Sequence, residues 1–299
     1  MYGAWLLPTL IAMISHKKAL VVVGAGVAFA LILLALLYSG SYSGGEVAGD
    51  ASGEAGTDQS EPPAVSVPPE MDSAARPASM PSFAELEAGP ERKEAFIDYV
   101  VPVVRSVNRE VRQRRRALQR IEQDRARGHG PDAPARDWLA HMTRRYRVRA
   151  QGLEKRLEVL KSRVDTIPVS LAVAQAALES NWGTSRFARQ GNNLFGKWCF
   201  SPGCGIAPAR RAEGASHEVA AYDDVAEATR DYMHHLNSHP VYEPLRERRA
   251  TARSEGVPPR GSDLASGLEK YSAKGEEYIN YIRQVINAND LDRLDGGGG

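Results

Sequence analysis

The chain has 299 residues, of which 38 are Lys or Arg and 37 are Asp or Glu, giving a formal net charge of +1. So even a balance removes global charge as an argument for nucleic-acid binding, and the length allows one or two domains with a sizeable core. The two cysteines, Cys199 and Cys204, are too few for a disulfide scaffold or a four-cysteine zinc site.

Residues 19–38 (ALVVVGAGVAFALILLALLY) form an uncharged apolar run with no polar face. About 1.5 Å per residue carries such a helix across roughly 30 Å of bilayer hydrocarbon, so one transmembrane helix is expected. His16, Lys17 and Lys18 precede it, and the first charges after it are Glu46 and Asp50. The positive-inside bias keeps residues 1–18 cytoplasmic and sends the rest to the periplasmic side of an inner membrane. The run is too long for a signal-peptide core and lacks a terminal Ala-x-Ala.

Residues 39–82 read as a disordered linker: 21 of 44 are Gly, Pro or Ser, and seven acids face Arg76 alone. Such a chain repels itself and buries too little to order. Periodicity starts at Phe83, with Phe96, Val100, Val103, Val104, Val107 and Val111 leading to Leu118 and Ile121. The spacing predicts an amphipathic helix, broken or begun at Pro102. After a turn at Gly128–Pro131, Trp138, Leu139, Met142, Tyr146, Leu153, Leu157 and Leu160 predict one second helix. Residues 83–165 are thus expected to form a helical hairpin packed on a domain over 166–295, with 296–299 a disordered tail. That domain is expected to be helical within Val164–Arg186 and near residues 224–237, 262–271 and 276–291. One small β-hairpin is expected around 205–222, making the class α+β and mostly helical.

Fourteen arginines and five acids lie between Arg105 and Arg149. The preferred reading is a solvated face of the hairpin, with contact to an anionic polymer as the alternative. Nucleic acid is not expected, because aromatic residues are not interleaved with the charge.

The densest chemical signal runs from Pro168 to Gly183. Pro168 suits a first helical turn and the Ala-rich body is strongly helical and apolar. Glu179 falls at the end of that helix, where burial and the negative end of the helix both raise a carboxyl pKa. A carboxylic acid still protonated near neutral pH can protonate a leaving alcohol.

Glu179-Ser-Asn-Trp-Gly183 followed by Asn192-Asn-Leu-Phe-Gly196 resembles the signature of glucosaminidase-domain peptidoglycan hydrolases, glycoside hydrolase family 73. Residues 197–205, His217–Ala220 and Phe96–Pro102 resemble its Bax-like branch. The resemblance covers about residues 90–291. It implies a lysozyme-like α+β fold over 166–295, peptidoglycan glycan strands as partner, and hydrolysis of β-1,4 bonds as an endo-β-N-acetylglucosaminidase without a cofactor. A lytic transglycosylase and a non-catalytic glycan-binding scaffold are the alternatives. By the same resemblance Glu179 is the general acid, and Tyr222 and Tyr271 are cleft tyrosines. Asn193 lies in the segment beneath the cleft and is the candidate there for substrate contact. Trp182 is either a sugar-stacking ring or a buried anchor.

A second carboxylate is normally required on the opposite face of the sugar. The first hairpin strand, Ile206–Arg211, has none. Strand alternation puts Glu218, Ala220 and Tyr222 on one face, making Glu218 the candidate. Glu213 at the turn is the alternative, and the substrate's acetamido group a third. Exported thiols this close across a Pro-Gly turn favour a Cys199–Cys204 disulfide. Zinc through Cys199, Cys204 and His217 lacks a fourth ligand, so no metal is expected. His234, His235 and His239 read as surface histidines at a helix end.

Overall fold

A computed structural model describes residues 79–209 and 217–296. The expected transmembrane helix over 19–38, the cytoplasmic 1–18, the linker up to residue 78, Glu213 and residues 297–299 lie outside the described residues. Among the described residues no helix is long and apolar enough to cross a membrane.

The longest element is α1, Pro90–Ala126, whose 37 residues span about 55 Å. Its first half buries Phe96, Val100, Val103, Val104 and Val107 in the main core, and its second half buries Val111, Leu118 and Ile121 in a second cluster. The expected break at Pro102 does not occur. Pro102 is exposed, and the carbonyl of Asp98 that it leaves without a donor lies one turn earlier on the same side. The valines on the opposite side are buried on either side of it, so packing outweighs the lost bond.

The single second helix is also corrected. It is two, α2 (Ala133–Arg145) and α3 (Leu153–Arg163), because Arg147 and Gly152 adopt positive φ of 55° and 75°. The apolar stripe continues through the break, where Tyr146 and Val148 are buried in the second cluster. Arg163 donates to the carbonyls of Tyr146 and Arg147 at 2.5 and 2.9 Å, satisfying the end of α2.

Helix α4 (Val169–Ser180) is buried on nearly every side, against α1, α8 (Gly261–Leu264), α9 (Glu276–Ala288) and the 3-10 turn Leu291–Leu294. The short α5 (Arg186–Gly191) follows, then a three-stranded antiparallel sheet in the order β1-β3-β2. Its strands are β1 (Trp198–Cys199), β2 (Gly205–Ile206) and β3 (Glu218–Ala220), with Trp198 opposite Val219 and Gly205 opposite Ala220. The expected hairpin therefore exists as β2–β3, but β3 is central and a further strand pairs on its far side. Tyr222 falls beyond β3, so the alternation argument that placed it with Glu218 does not apply.

Helices α6 (Val225–Ser238) and α7 (Glu243–Ser254) complete the described structure. A buried ion cluster ties the two halves together. Asp165, 3% exposed, accepts from Arg253 Nε at 2.5 Å and Nη2 at 2.7 Å, with Arg115 and Arg249 at 3.5 and 3.6 Å. Burial alone would raise its pKa, but the surrounding guanidiniums outweigh it and hold the carboxyl below its ordinary value. Arg249, itself buried, donates onward to Thr166 O and Asn237 Oδ1, so α1, α6 and α7 meet at one anion.

Candidate active site

Alanines let neighbouring helices approach α4 closely, and the chain leaves it by an abrupt turn. Asn181, Trp182 and Gly183 hold φ of 51°, 57° and 76° in succession. Ser180 Oγ fastens this turn by donating to Ala176 O at 2.6 Å and accepting from Gly183 N at 2.8 Å. A Cβ on Gly183 would come within 2.4 Å of the Phe83 ring, so glycine is required there for space as well as for φ. Glu179 is thereby held on the last turn of α4, half-buried.

Its carboxyl is met from two sides. Tyr278 of α9 donates to Glu179 Oε1 at 2.8 Å. Gly196, at φ 62°, lies against Oε2, and a Cβ there would stand 3.3 Å from that oxygen. Behind Tyr278 the polar contacts continue inward: Gln175 Nε2 donates to Tyr278 Oη at 3.0 Å, and Tyr232 Oη donates to Gln175 Oε1 at 2.7 Å. Every donor in this buried series points towards Glu179. Two stacked ring pairs enclose it, Tyr271 on Tyr278 at 5.4 Å and Phe195 on Tyr232 at 4.0 Å.

Burial pushes the Glu179 carboxyl up to about 7, and the Tyr278 hydrogen bond pulls part of the way back. The phenols of Tyr232, Tyr271 and Tyr278 are driven well above their ordinary value, first by burial and also by Glu179. Their hydroxyls therefore serve as neutral donors around the acid. The site thus holds a carboxyl that keeps its proton up to about neutral pH, among phenols whose ionisation burial disfavours.

The other predicted residues fall into different places. Tyr271 is at the site, with its hydroxyl donating to Phe195 O at 3.1 Å. Asn193 is buried and both ends of its amide are occupied: Nδ2 donates to Lys197 O and Ala220 O, and Oδ1 accepts from Phe195 N and Lys197 N. It ties the 195–197 turn, and so Gly196, to β3. Tyr222 is half-buried and donates to Asp231 Oδ2 at 2.7 Å, with Lys197 Nζ 3.6 Å from the same oxygen. Trp182 is half-buried, edge-on to Phe96 at 5.7 Å, with the Lys93 ammonium over its ring.

Glu218 turns to the neighbouring loop. Its two oxygens accept from Gly203 N at 3.3 Å and Gly205 N at 2.8 Å, closing the turn between the cysteines. Cys199 and Cys204 are joined as a disulfide. Their sulfurs lie near the Glu218 carboxylate, but the bond between them removes them as thiolate ligands. The expected surface histidines are corrected: His234 and His235 are half-buried, facing Tyr146 and Tyr242 edge-on. Burial, followed by nearby cations, lowers them to about 4 and about 2.

The glucosaminidase family profile, described as mannosyl-glycoprotein endo-beta-N-acetylglucosaminidase, matches residues 155–291. "Protein bax" of Escherichia coli (strain K12) is 33% identical over 217 residues, covering 72% of this chain and 76% of that protein. The chain belongs to the Bax-like glucosaminidase family. A solved structure, the catalytic domain of the autolysin Auto from Listeria monocytogenes, aligns with 71% of this chain and 93% of that one. It is 18% identical, with a TM-score of 0.39.

The span matched by the family profile holds Glu179 and all four of its enclosing tyrosine and glutamine partners, and leaves α1 and α2 outside it. Sequence reasoning missed Tyr278, Gln175 and Tyr232. Two signals were available. Gln175 is the polar residue inside an otherwise apolar stretch and stands four positions before Glu179, hence on the same helix face. Tyr278 ends the same eight-residue run that Tyr271 opens.

Proposed function

We propose that this chain is a peptidoglycan hydrolase that cleaves β-1,4 bonds of wall glycan as an endo-β-N-acetylglucosaminidase, with Glu179 as general acid. The observation that carries the reading is the Glu179 carboxyl itself, lifted to about 7 by burial and oriented by Tyr278. Family membership and the relationship to "Protein bax" support the substrate class. A protonated Glu179 gives its proton to the bridging oxygen as the bond to the anomeric carbon breaks, and a water completes hydrolysis.

The second catalytic function falls to the substrate's acetamido group or to Glu213. Glu218 is assigned instead to bracing the disulfide loop, since both of its oxygens are engaged there. Tyr271 and Tyr222 border the glycan path and Asn193 supports it from beneath. The domain acts in the periplasm, tethered to the inner membrane by residues 19–38.

The groups disposed around Glu179 are phenols rather than a carboxylate. That observation also favours a lytic transglycosylase, which needs one protein carboxyl only. Mass spectrometry of fragments released from purified sacculi separates the two readings. Reducing N-acetylglucosamine ends are the expected product, and anhydro-muramic ends would replace the proposal with the alternative. Sacculus binding with no fragment released at any pH would make the protein a scaffold.

A further inference from the structure

At the other end of α4 from Glu179, ten residues and about 15 Å away, Pro168 and Val169 form one wall of a cleft of about 690 Å³. Arg105, Arg109 and Arg112 of α1 line it, stepping by four and three residues along one helix face. Arg115 and Arg253 also reach it, but Asp165 partners both, at 3.5 and 2.5 Å. Arg105, Arg109 and Arg112 make no side-chain hydrogen bond or ion pair among the described residues.

The charge in this cleft is not balanced from within. Asp295 is the acid on its lining, and Ser170 and Gly261 already occupy its carboxylate. Like charges at these spacings disfavour the helix that carries them. Arg112 shows the strain: partial burial, then Arg109, Arg116 and Arg253, hold its guanidinium below the usual value. The expected solvated face is therefore partly recessed. Val257, Pro258 and Pro259 also line the cleft, with Val257 49% exposed.

We propose that this cleft binds the carboxylate-bearing peptide stems of the wall polymer, holding the substrate at one end of α4 while Glu179 acts at the other. The proposal rests on the reading of the chain as a wall-glycan hydrolase. Guanidinium forks match carboxylates in bidentate geometry. The volume is that of a drug-sized molecule or short peptide, and the Val-Pro-Pro segment suits its aliphatic parts. A bilayer presents its phosphates in a plane and does not enter a recess.

The test uses the full-length chain in detergent. Binding to intact sacculi is compared with binding to sacculi stripped of free carboxylates by carbodiimide coupling to methylamine, and cleavage of stem-free glycan oligomers is followed in parallel. Arg109→Ala with Arg112→Ala is expected to weaken binding to intact sacculi about tenfold, which corresponds to about 1.4 kcal/mol. Stripped sacculi should bind wild type and variant alike, and cleavage of stem-free oligomers should not change. Arg109→Lys with Arg112→Lys should recover part of the loss, since charge returns without the fork. Equal binding of the wild type to intact and stripped sacculi overturns the proposal, as does an alanine variant that binds intact sacculi normally. Neutralising the seven linker acids should leave the arginine effect in place. If the effect vanishes with them, the cleft holds the chain's own linker and the proposal fails. Oligomers left uncut by the wild type would defeat the hydrolase reading alone, because the sacculus comparison does not depend on turnover.

Discussion

Tyr278 Oη donates a 2.8 Å hydrogen bond to Glu179 Oε1 across 99 residues of chain, joining the last turn of α4 to α9. The bond stabilises the ionised carboxylate, while burial of the same group disfavours it. Burial wins, so the acid stays protonated to about pH 7. The Tyr278 hydroxyl is itself fixed by Gln175, whose amide is fixed by Tyr232.

That balance has a consequence for stability. A carboxyl raised from 4.5 to about 7 makes the folded state hold a proton that the unfolded chain releases. Below the unfolded pKa both states are protonated and nothing is lost. As pH rises from there through the folded pKa, stability falls, by about 3 kcal/mol in total. Glu179→Gln should therefore be more stable than the wild type at pH 8 and equal to it near pH 4. Thermal unfolding at the two pH values checks this, and equal stability at both would place the carboxyl in solvent.

Tyr278→Phe removes the donor that favours the ionised acid. The alkaline limb of the activity profile should move up by about one pH unit, since a hydrogen bond to a charged group contributes about 1.5–3 kcal/mol. Gln175 Nε2 also loses its acceptor inside the core, which costs about 1–3 kcal/mol of stability. The pH–rate profile separates the two effects, because a purely structural loss would lower the rate without moving the limb.

Much of this site could be read in the sequence, and the failures have physical causes. The Ala-rich helix ending at Glu179 was legible because composition and the terminal Gly183 point the same way. Its partners left only faint local marks, Gln175 on the helix face of Glu179 and Tyr278 closing the run that Tyr271 opens, because the contact itself arises from tertiary packing of α9 on α4. Pro102 was expected to break α1, yet the buried valines around it hold the helix straight through. Tyr146 and Val148 kept the apolar stripe unbroken, which hid the change of direction at Arg147. Strand β1 is two residues long, too short for alternation to reveal, and it made β3 central. Glu218 was assigned by a face argument, whereas the disulfide turn beside it supplies two amide donors.

Glu218→Gln should keep activity within about tenfold of the wild type, short of the roughly 10²–10⁴-fold that loss of a general acid or base costs. Its effect should fall on the 199–205 loop, where two backbone donors lose a charged acceptor. Rates on sacculi together with the rate of disulfide reduction test this. A loss of a thousandfold or more would return Glu218 to the chemistry.

Asp165→Ala should destabilise the protein by about 3–5 kcal/mol, because Arg249 is left buried without its anion. The depressed carboxyl contributes stability above its unfolded pKa that disappears as pH falls through the folded value. Wild type and variant should thus converge in strongly acidic solution. Denaturant unfolding at neutral and low pH measures the difference, and a neutral-pH cost below about 1 kcal/mol would mean the cluster is hydrated.

The most direct test of the account is the rate at which Glu179→Gln releases reducing ends from purified sacculi at pH 6, beside the wild type. The amide keeps the shape of the side chain and can still accept from Tyr278, but it has no proton to give. A loss of about 10³-fold or more, with sacculus binding intact, is the predicted result. A variant that retains turnover within tenfold of the wild type would contradict the assignment of Glu179 as the acid.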